Sequence, residues 1–243
     1  MLQPHKIAIP TKNRYDNYLN TLRLLANRSL FDVYLFVDDE SQLDKYRETH
    51  PHEKIIVANT SGIQNVRNYI YDFFGKGARI ITMCDDVEGV YRLVGKGGQA
   101  FTEVLEQDLY DLIANGFELC EKNKTKLWGV YPMKNDFYMS HSISNNGFII
   151  GTFSGIIISD IRNSLELACK EDYEFTLEHI LKYKKVVRFN NYCVKAKHYT
   201  NKGGVVGEGR EEKDRHACQF LMAKYPHYVR LNPTRENEIL LKF

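Results

Sequence analysis

The sequence is short of several features that define common protein classes. It has one tryptophan, six prolines and five cysteines in 243 residues. The cysteines are odd in number, far apart and without a C-x-x-C pair, lying at Cys84, Cys120, Cys169, Cys193 and Cys218. This spacing argues against a zinc ribbon and against a disulfide framework. We therefore expect the reducing, cytoplasmic compartment in which free thiols persist.

Membrane-spanning and strongly basic classes are also excluded. The longest apolar stretch, residues 148–158, is interrupted by glycine, threonine and serine, whereas a bilayer span needs about 20 apolar residues. Residues 1–20 contain no apolar core of a signal peptide, so we expect no stable membrane insertion. The 33 basic and 31 acidic residues leave a net charge of +2. That value excludes a strongly basic nucleic-acid coat but leaves room for a local basic groove.

Several nucleotide and hydrolase fingerprints are missing. No G-x-G-x-x-G motif follows the first predicted strand, which argues against a dinucleotide site, and no G-x-x-x-x-G-K-[ST] loop occurs. The two Gly-Lys-Gly segments, at 75–77 and 95–97, are interpreted as turns. Ser154-Gly155 does not form a G-x-S-x-G elbow, so a serine hydrolase is not expected.

The first half of the chain alternates between strand and helix patterns. Short apolar runs predict strands at 6–11, 33–39, 54–59 and 78–84, and apolar residues at helical spacing predict helices at 15–28 and 63–74. Ser41 is expected to cap a short polar helix that ends before Pro51. This alternation predicts an α/β fold with a parallel, doubly wound sheet, in which ligands bind at the carboxyl ends of the strands.

The second half is less regular. Helices are predicted from Thr102 to about Asn123, at 171–182 and at 211–225, and strands at 127–131, 148–159 and 186–198. Between them lie a polar loop at 136–146 and a glycine-rich loop at 199–209 that we expect to be mobile. No linker interrupts the chain. We therefore predict one domain over 1–243, with a nucleotide-binding half at about 1–100 and an acceptor-binding half at about 101–243.

Two carboxylate pairs follow predicted strands. Asp85-Asp86 comes directly after a hydrophobic strand, where such a pair is costly unless something neutralises it. Mg²⁺ or Mn²⁺ bridging to a diphosphate would do so, since these hard cations take one or two carboxylates plus phosphate oxygens. Asp38-Asp39 ends the second strand, where an acidic residue can bind a ribose or base. For both pairs, an ordinary turn is the alternative, and for Asp38-Asp39 a helix cap is another.

Cationic and hydroxyl side chains also lie near the predicted strand ends in the first half of the chain. Thr11 and Arg14 follow the first strand after Pro10 and are expected to contact a base or a phosphate. Arg67 lies in the first turns of the 63–74 helix, from which it could reach a diphosphate or pair with Asp86. An exposed helical arginine is the alternative for Arg67.

The second half offers a candidate base and a candidate ligand. Glu171 and Asp172 open a helix, and either carboxylate could deprotonate an acceptor hydroxyl. Acidic residues in a first helical turn are also favoured by the helix dipole alone. His198 precedes the glycine-rich loop and could bind a metal or a phosphate, although a purely structural histidine is the alternative.

The order of these residues resembles a glycosyltransferase of the GT-A fold, over residues 6 to about 200. The sequence is most similar to the TET/J-binding-protein-associated glycosyltransferases, small viral and eukaryotic enzymes of hydroxymethylated pyrimidines in DNA. The similarity rests on Asp85-Asp86-Val87, on the Glu171-Asp172-Tyr173-Glu174 block, and on Lys197-His198 followed by a Gly-Gly loop. The implied fold is GT-A-like, with a Rossmann-type N-terminal half, a mixed central sheet and an acceptor-binding C-terminal half.

The resemblance also implies roles for individual residues. A nucleotide-sugar donor, with uridine as the usual base, would be held by Pro10, Thr11, Arg14, Asp38, Asp39, Arg67 and Asp85. A metal ion, Mn²⁺ or Mg²⁺, would be held by Asp86 with Asp85 and His198. Asp172 would be the base in an inverting displacement, with Glu171 as the second candidate for that role. Ser154, Gly155 and Lys197 would contact the acceptor. If the protein is viral, its place is the host cytoplasm.

The acceptor is open at this stage. Basic residues cluster between Lys182 and Lys202 with tyrosines among them, a pattern that suits DNA with splayed bases as well as an ordinary solvated face. A glycan, lipid or protein acceptor is an alternative. Two further alternatives are a nucleotidyltransferase and a non-catalytic nucleotide-binding module. The glycine-rich phosphate loop that a nucleotidyltransferase would have after the first strand is missing from this sequence. Neither the sugar nor the oligomeric state follows from the sequence.

Overall fold

The computed structural model describes residues 3–15, 19–97, 100–197 and 209–243. Over these ranges it contains twelve strands and six α-helices. In the N-terminal half the elements are β1 (His5–Pro10), α1 (Leu19–Leu24), β2 (Phe31–Val37), α2 (Leu43–Thr49), β3 (Lys54–Val57), α3 (Ile63–Phe74) and β4 (Arg79–Met83).

The first four strands form the predicted parallel, doubly wound sheet. Their order is β3-β2-β1-β4, and β1 pairs in parallel with both β2 and β4. Parallel strands place their carboxyl ends at one edge of the sheet. The residues that follow β1, β2 and β4 therefore meet at that edge, which we call the site edge.

The remaining elements extend the sheet and cover it. They are β5 (Val87–Leu93), β6 (Phe101–Glu103), α4 (Glu106–Lys122), β7 (Leu127–Tyr131), β8 (Ile143–Ser144), β9 (Phe153–Ile157), α5 (Glu171–Tyr183), β10 (Val187–Ala196), α6 (Arg210–Lys224), β11 (Val229–Leu231) and β12 (Ile239–Leu241). Within the described ranges the sheet has ten strands, ordered β3-β2-β1-β4-β9-β7-β10-β5-β6, with β8 beside β10. The sheet is mixed, because β9 runs antiparallel to β4 and β7. The architecture is thus α/β with a mixed central sheet, as expected.

Alternate residues of the strands bury opposite faces of the sheet. Ile7 and Ile9 of β1 belong to a core cluster that includes Phe117 of α4, whereas Ala8 packs in a second cluster with Ile70 of α3. This alternation is expected when helices cover both faces. The predicted halves share the sheet, since β5 pairs with β10; the single domain over 1–243 stays a prediction.

Some predicted boundaries are wrong. Thr102 lies in β6 rather than at the start of a helix, and α4 begins at Glu106. Asp39, and not Ser41, caps the helical turn Glu40–Gln42 that precedes α2: the Asp39 carboxylate accepts a hydrogen bond from the Ser41 amide at 2.8 Å. The strand β5 was not predicted, because it follows the Asp85-Asp86 turn with almost no break. The glycine-rich loop at 199–209 falls, except for Gly209, outside the described residues.

All five cysteines are free thiols. None of the described helices is long and apolar enough to cross a bilayer.

Gly155 has a packing role in the centre of the sheet. A Cβ at this position would lie 1.9 Å from the Trp128 indole nitrogen, far inside van der Waals contact. We expect Gly155→Ala to lower the free energy of unfolding by about 1–3 kcal/mol, the usual cost of overpacking a core. Thermal unfolding of the single variant and of Gly155→Ala/Trp128→Phe checks this. A double variant as unstable as the sum of the two single variants would contradict the proposed clash.

Candidate functional site

The polar residues after β1 and β4 form one hydrogen-bonded cluster at the site edge. Thr11 donates through its hydroxyl to Asp85 Oδ2 at 2.8 Å, and Arg14 Nη1 lies 2.6 Å from Asp85 Oδ1. The same guanidinium nitrogen is 3.5 Å from Asp86. Burial raises the pKa of Asp85 above its ordinary value, and Arg14 and Thr11 offset part of that rise. A cation and a hydroxyl of the chain thus stabilise the buried carboxylate.

The second carboxylate pair divides into a buried and an exposed residue. Asp38 is buried at the end of β2, where its carboxylate contacts Lys12 and Gln42. Asp39 is exposed and caps the following helical turn. Of the two, Asp38 is therefore the one that faces the residues following β1.

Asp172 lies in the first turn of α5, next to the segment that leads into β9. Its Oδ2 accepts a hydrogen bond from the backbone amide of Gly151 at 3.0 Å. The side chain is partly exposed, as a group that meets a substrate must be. Desolvation by the surrounding protein, together with the negative charge of Glu171, raises the pKa of Asp172 to about 6. A carboxylate with that pKa is ionised near neutral pH and is a stronger base than an ordinary aspartate.

Glu171 points into the protein and forms a buried ion pair with Arg67. Glu171 Oε1 lies 2.6 Å from Arg67 Nη1, and both residues are less than 10% exposed. The Arg67 Nη2 donates to the backbone oxygen of Gly151 at 2.9 Å. Burial alone would lower the pKa of Arg67, but the adjacent Glu171 raises it above its usual range, so the guanidinium is charged. Arg67 therefore binds both Glu171, the neighbour of Asp172, and Gly151, the residue whose amide donates to Asp172.

One short segment connects the two sides of the site. The amide of Cys84, next to Asp85, donates to the backbone oxygen of Thr152 at 2.9 Å, while the preceding residue, Gly151, binds Asp172 and Arg67. Gly151 is required for this approach, since a Cβ there would lie 2.5 Å from the Arg67 guanidinium. Burial raises the pKa of Cys84 to about 12, so its thiol is not a nucleophile.

The other predicted residues are placed differently. Pro10 ends β1 in the core, and Lys197 donates its backbone amide to Asp86 O at 3.1 Å. Ser154 and Gly155 lie inside β9, where Ser154 bonds Thr82 and Gly155 packs on Trp128. Their burial is explained by sheet packing, and nothing in their position supports acceptor contact. His198 lies outside the described residues.

Two residues of the site carried no sequence signal. The Tyr46 hydroxyl lies 2.7 Å from Thr11 Oγ1 and accepts from the Arg14 amide at 3.2 Å. Gln42 accepts from the Asn13 amide at 2.8 Å. Both belong to the short helical segment after β2 and fix the loop that follows β1. Nothing in their spacing distinguishes them from core residues.

The donor set was tested for a divalent cation. Among the described residues, no three His, Cys, Asp or Glu side chains lie close enough together to hold a metal. Asp85 directs both oxygens to Thr11 and Arg14. Asp86 lies farther from Arg14 than Asp85 does. One carboxylate together with substrate phosphates is a ligand set that Mg²⁺ or Mn²⁺ commonly takes. Asp86, the carboxylate farther from Arg14, is thus the described residue that would hold such a cation together with a diphosphate.

Comparison with known proteins places the sequence. The family model described as TET-Associated Glycosyltransferase matches residues 5–204. No curated protein matches the chain. One similar solved structure is the apo-form glycosyltransferase GlyE from Streptococcus pneumoniae TIGR4, at 15% identity and a TM-score of 0.24. That match covers 49% of this chain and 39% of the other, which is too limited to support an argument about activity.

Proposed function

The chain belongs to the TET-associated glycosyltransferase family and is a glycosyltransferase, and we propose that it moves a sugar from a UDP-sugar to the hydroxyl of a 5-hydroxymethylpyrimidine in DNA. The observation that carries the proposal is the pair of carboxylate centres, Asp85-Asp86 and Asp172, on the two sides of segment 151–152 at the site edge. Such a division suits a reaction with a leaving group on one side and a nucleophile on the other.

The donor half is assigned to the cluster that follows β1, β2 and β4. In this assignment Asp38 binds the nucleoside. Thr11 and Arg14, both bound to Asp85, set the shape and charge of the adjoining surface. The Arg14 guanidinium, shared between Asp85 and Asp86, also lies where it can attract a diphosphate. Asp39 caps a helical turn and is not assigned a contact with the donor.

The proposed metal is held by Asp86. When bound, a divalent cation neutralises charge on the departing nucleoside diphosphate. Asp85 acts as the residue that holds Arg14 and Thr11 in place. Lys197, whose amide binds Asp86 O, fixes the strand end from the β10 side.

The acceptor half is assigned to Asp172. Its carboxylate takes the proton of the acceptor hydroxyl as that oxygen bonds to the anomeric carbon, and the nucleoside diphosphate leaves from the opposite face. One displacement inverts the anomeric configuration. Glu171 does not serve as the base, because its carboxylate is committed to Arg67.

Thermal unfolding tests the donor half. A UDP-sugar at 100 times its dissociation constant adds about 2.7 kcal/mol of stability, which for a chain of this size raises Tm by about 5–11 °C. We expect the shift to require Mn²⁺ or Mg²⁺ in the wild type and to be lost in Asp86→Asn.

A matched control separates a metal site from a general charge effect. Asp111→Asn removes an exposed carboxylate from α4 and is expected to leave the metal-dependent shift intact. An Asp86→Asn protein that retains the full metal-dependent shift would remove Asp86 from the site. No shift with any nucleotide sugar would count against the donor assignment as a whole.

A further inference from the structure

Arg188 stands out among the basic residues near the C-terminal half of the sheet. Lys182 pairs with Asp160, and Lys195 and Lys197 pair with Glu88. Arg188, like the nearby Lys184 and Lys185, has no carboxylate partner in the described part of the chain, but unlike them it lies over an aromatic ring, that of Tyr131. Its Nε donates to Asn190 at 2.8 Å and its Nη1 to the backbone oxygen of Phe148 at 3.4 Å, both neutral acceptors.

The guanidinium is also partly buried, among Tyr131, Gly147 and Phe148, a setting that we call the recess. It lies 5.1 Å from the centre of the Tyr131 ring and against the backbone of Gly147. A Cβ at Gly147 would come within 2.7 Å of the Arg188 guanidinium carbon, so glycine is needed for this approach. Burial lowers the pKa of Arg188, and the neighbouring Tyr131 offsets only part of that effect. An arginine fork held in place without a counterion is suited to a phosphate from outside the chain.

This recess lies close to the proposed base. Residue Phe148, which accepts from Arg188, stacks its ring on Tyr173 with centroids 4.1 Å apart. Tyr173 directly follows Asp172 on α5. Four residues lead from Gly147 to Gly151, which binds Asp172, a path of at most about 14 Å.

We infer that Arg188 binds a backbone phosphate of the DNA acceptor beside the nucleotide that receives the sugar. The inference rests on the proposed function, and it adds a contact that holds the acceptor strand rather than the reacting base. The donor diphosphate is the other source of the same chemistry. Arg188 is placed on the Asp172 side, three strands away from β4, which favours the acceptor strand.

Fluorescence anisotropy with a labelled single-stranded oligonucleotide carrying one 5-hydroxymethylcytosine tests this contact. We expect Arg188→Gln to weaken binding about tenfold at low salt and to reduce the slope of log K against log[salt] by about 1, as for one lost phosphate contact. Arg188→Lys keeps the charge and is expected to keep the slope with a smaller loss of affinity. Arg230→Gln, at an exposed arginine of β11, makes the same charge change and is expected to match the wild type.

The remaining outcomes are distinguishable. A wild type that binds and glycosylates the oligonucleotide, with Arg188→Gln unchanged in affinity and slope, would overturn this inference and leave the proposed function standing. A wild type that does not bind the oligonucleotide at all would overturn both. Loss of the UDP-sugar thermal shift in Arg188→Gln, with the oligonucleotide affinity unchanged, would assign the recess to the donor diphosphate and overturn the acceptor contact.

Discussion

Asp172→Asn is expected to lower the rate of sugar transfer by about 10²–10⁴-fold while leaving donor binding intact, because it removes only the proton acceptor. The asparagine carbonyl can still accept the Gly151 amide, so the local geometry is kept. Initial rates at saturating donor, with the UDP-sugar thermal shift measured on the same protein, check the prediction. A variant with near-wild-type turnover would exclude Asp172 as the base.

The pKa of Asp172 adds two signatures that loss of folding cannot imitate. Since the folded-state pKa is about 6 and the ordinary value 3.8, the wild-type rate should fall on acidification through pH 6. The same raised pKa means that protonation stabilises the fold below pH 3.8, and this stabilisation is lost as pH rises through 6. Asp172→Asn should therefore be more stable than the wild type at pH 8. A less stable variant at pH 8 would contradict the assigned desolvation.

Arg67→Met is expected to cost about 3–5 kcal/mol of folding stability, because it leaves the Glu171 carboxylate buried without a counterion. For a chain of this size that corresponds to a Tm lower by about 6–20 °C. The double variant Arg67→Met/Glu171→Gln removes both charges and should regain most of the loss. Arg79→Met, which breaks an exposed ion pair with Glu121, is the matched control and should cost about 1 kcal/mol or less.

The same ion pair should be visible in the pH dependence of the reaction. Glu171 raises the pKa of Asp172 through its negative charge, and Arg67 offsets part of this effect. Glu171→Gln should therefore move the acidic limb of the rate profile to lower pH. If the limb stays in place in a folded, active Glu171→Gln protein, the pair is only structural.

Much of the donor side could be predicted from the sequence, and the reason is topological. Parallel strands bring Thr11, Asp38 and Asp85 to one edge, so residues far apart in the chain could be grouped without coordinates. Which side chains pair was not predictable. Arg14, expected to contact the nucleotide, is hydrogen-bonded to Asp85, and Arg67, 104 positions before Glu171, pairs with it rather than with Asp86.

The acceptor side was less accessible to sequence reasoning because it depends on how α5 meets the segment before β9. The partners of Gly151, which are Arg67 and Asp172, are set by tertiary packing and leave no pattern in the sequence. Gly155, in contrast, drew attention as a glycine of a family pattern and is explained by the Trp128 indole. A glycine needed for packing and one needed for a site look the same in a single sequence.

The mass of the DNA product tests the proposed sugar transfer to hydroxymethylated DNA most directly. An oligonucleotide with one 5-hydroxymethylcytosine would be incubated with the full chain, Mn²⁺ and a panel of UDP-sugars, beside the same oligonucleotide with cytosine or 5-methylcytosine. We expect a mass increase of one sugar, with one donor, on the hydroxymethylated strand alone, and none with Asp172→Asn. Transfer to a glycan or protein acceptor with the oligonucleotide left unmodified would contradict it.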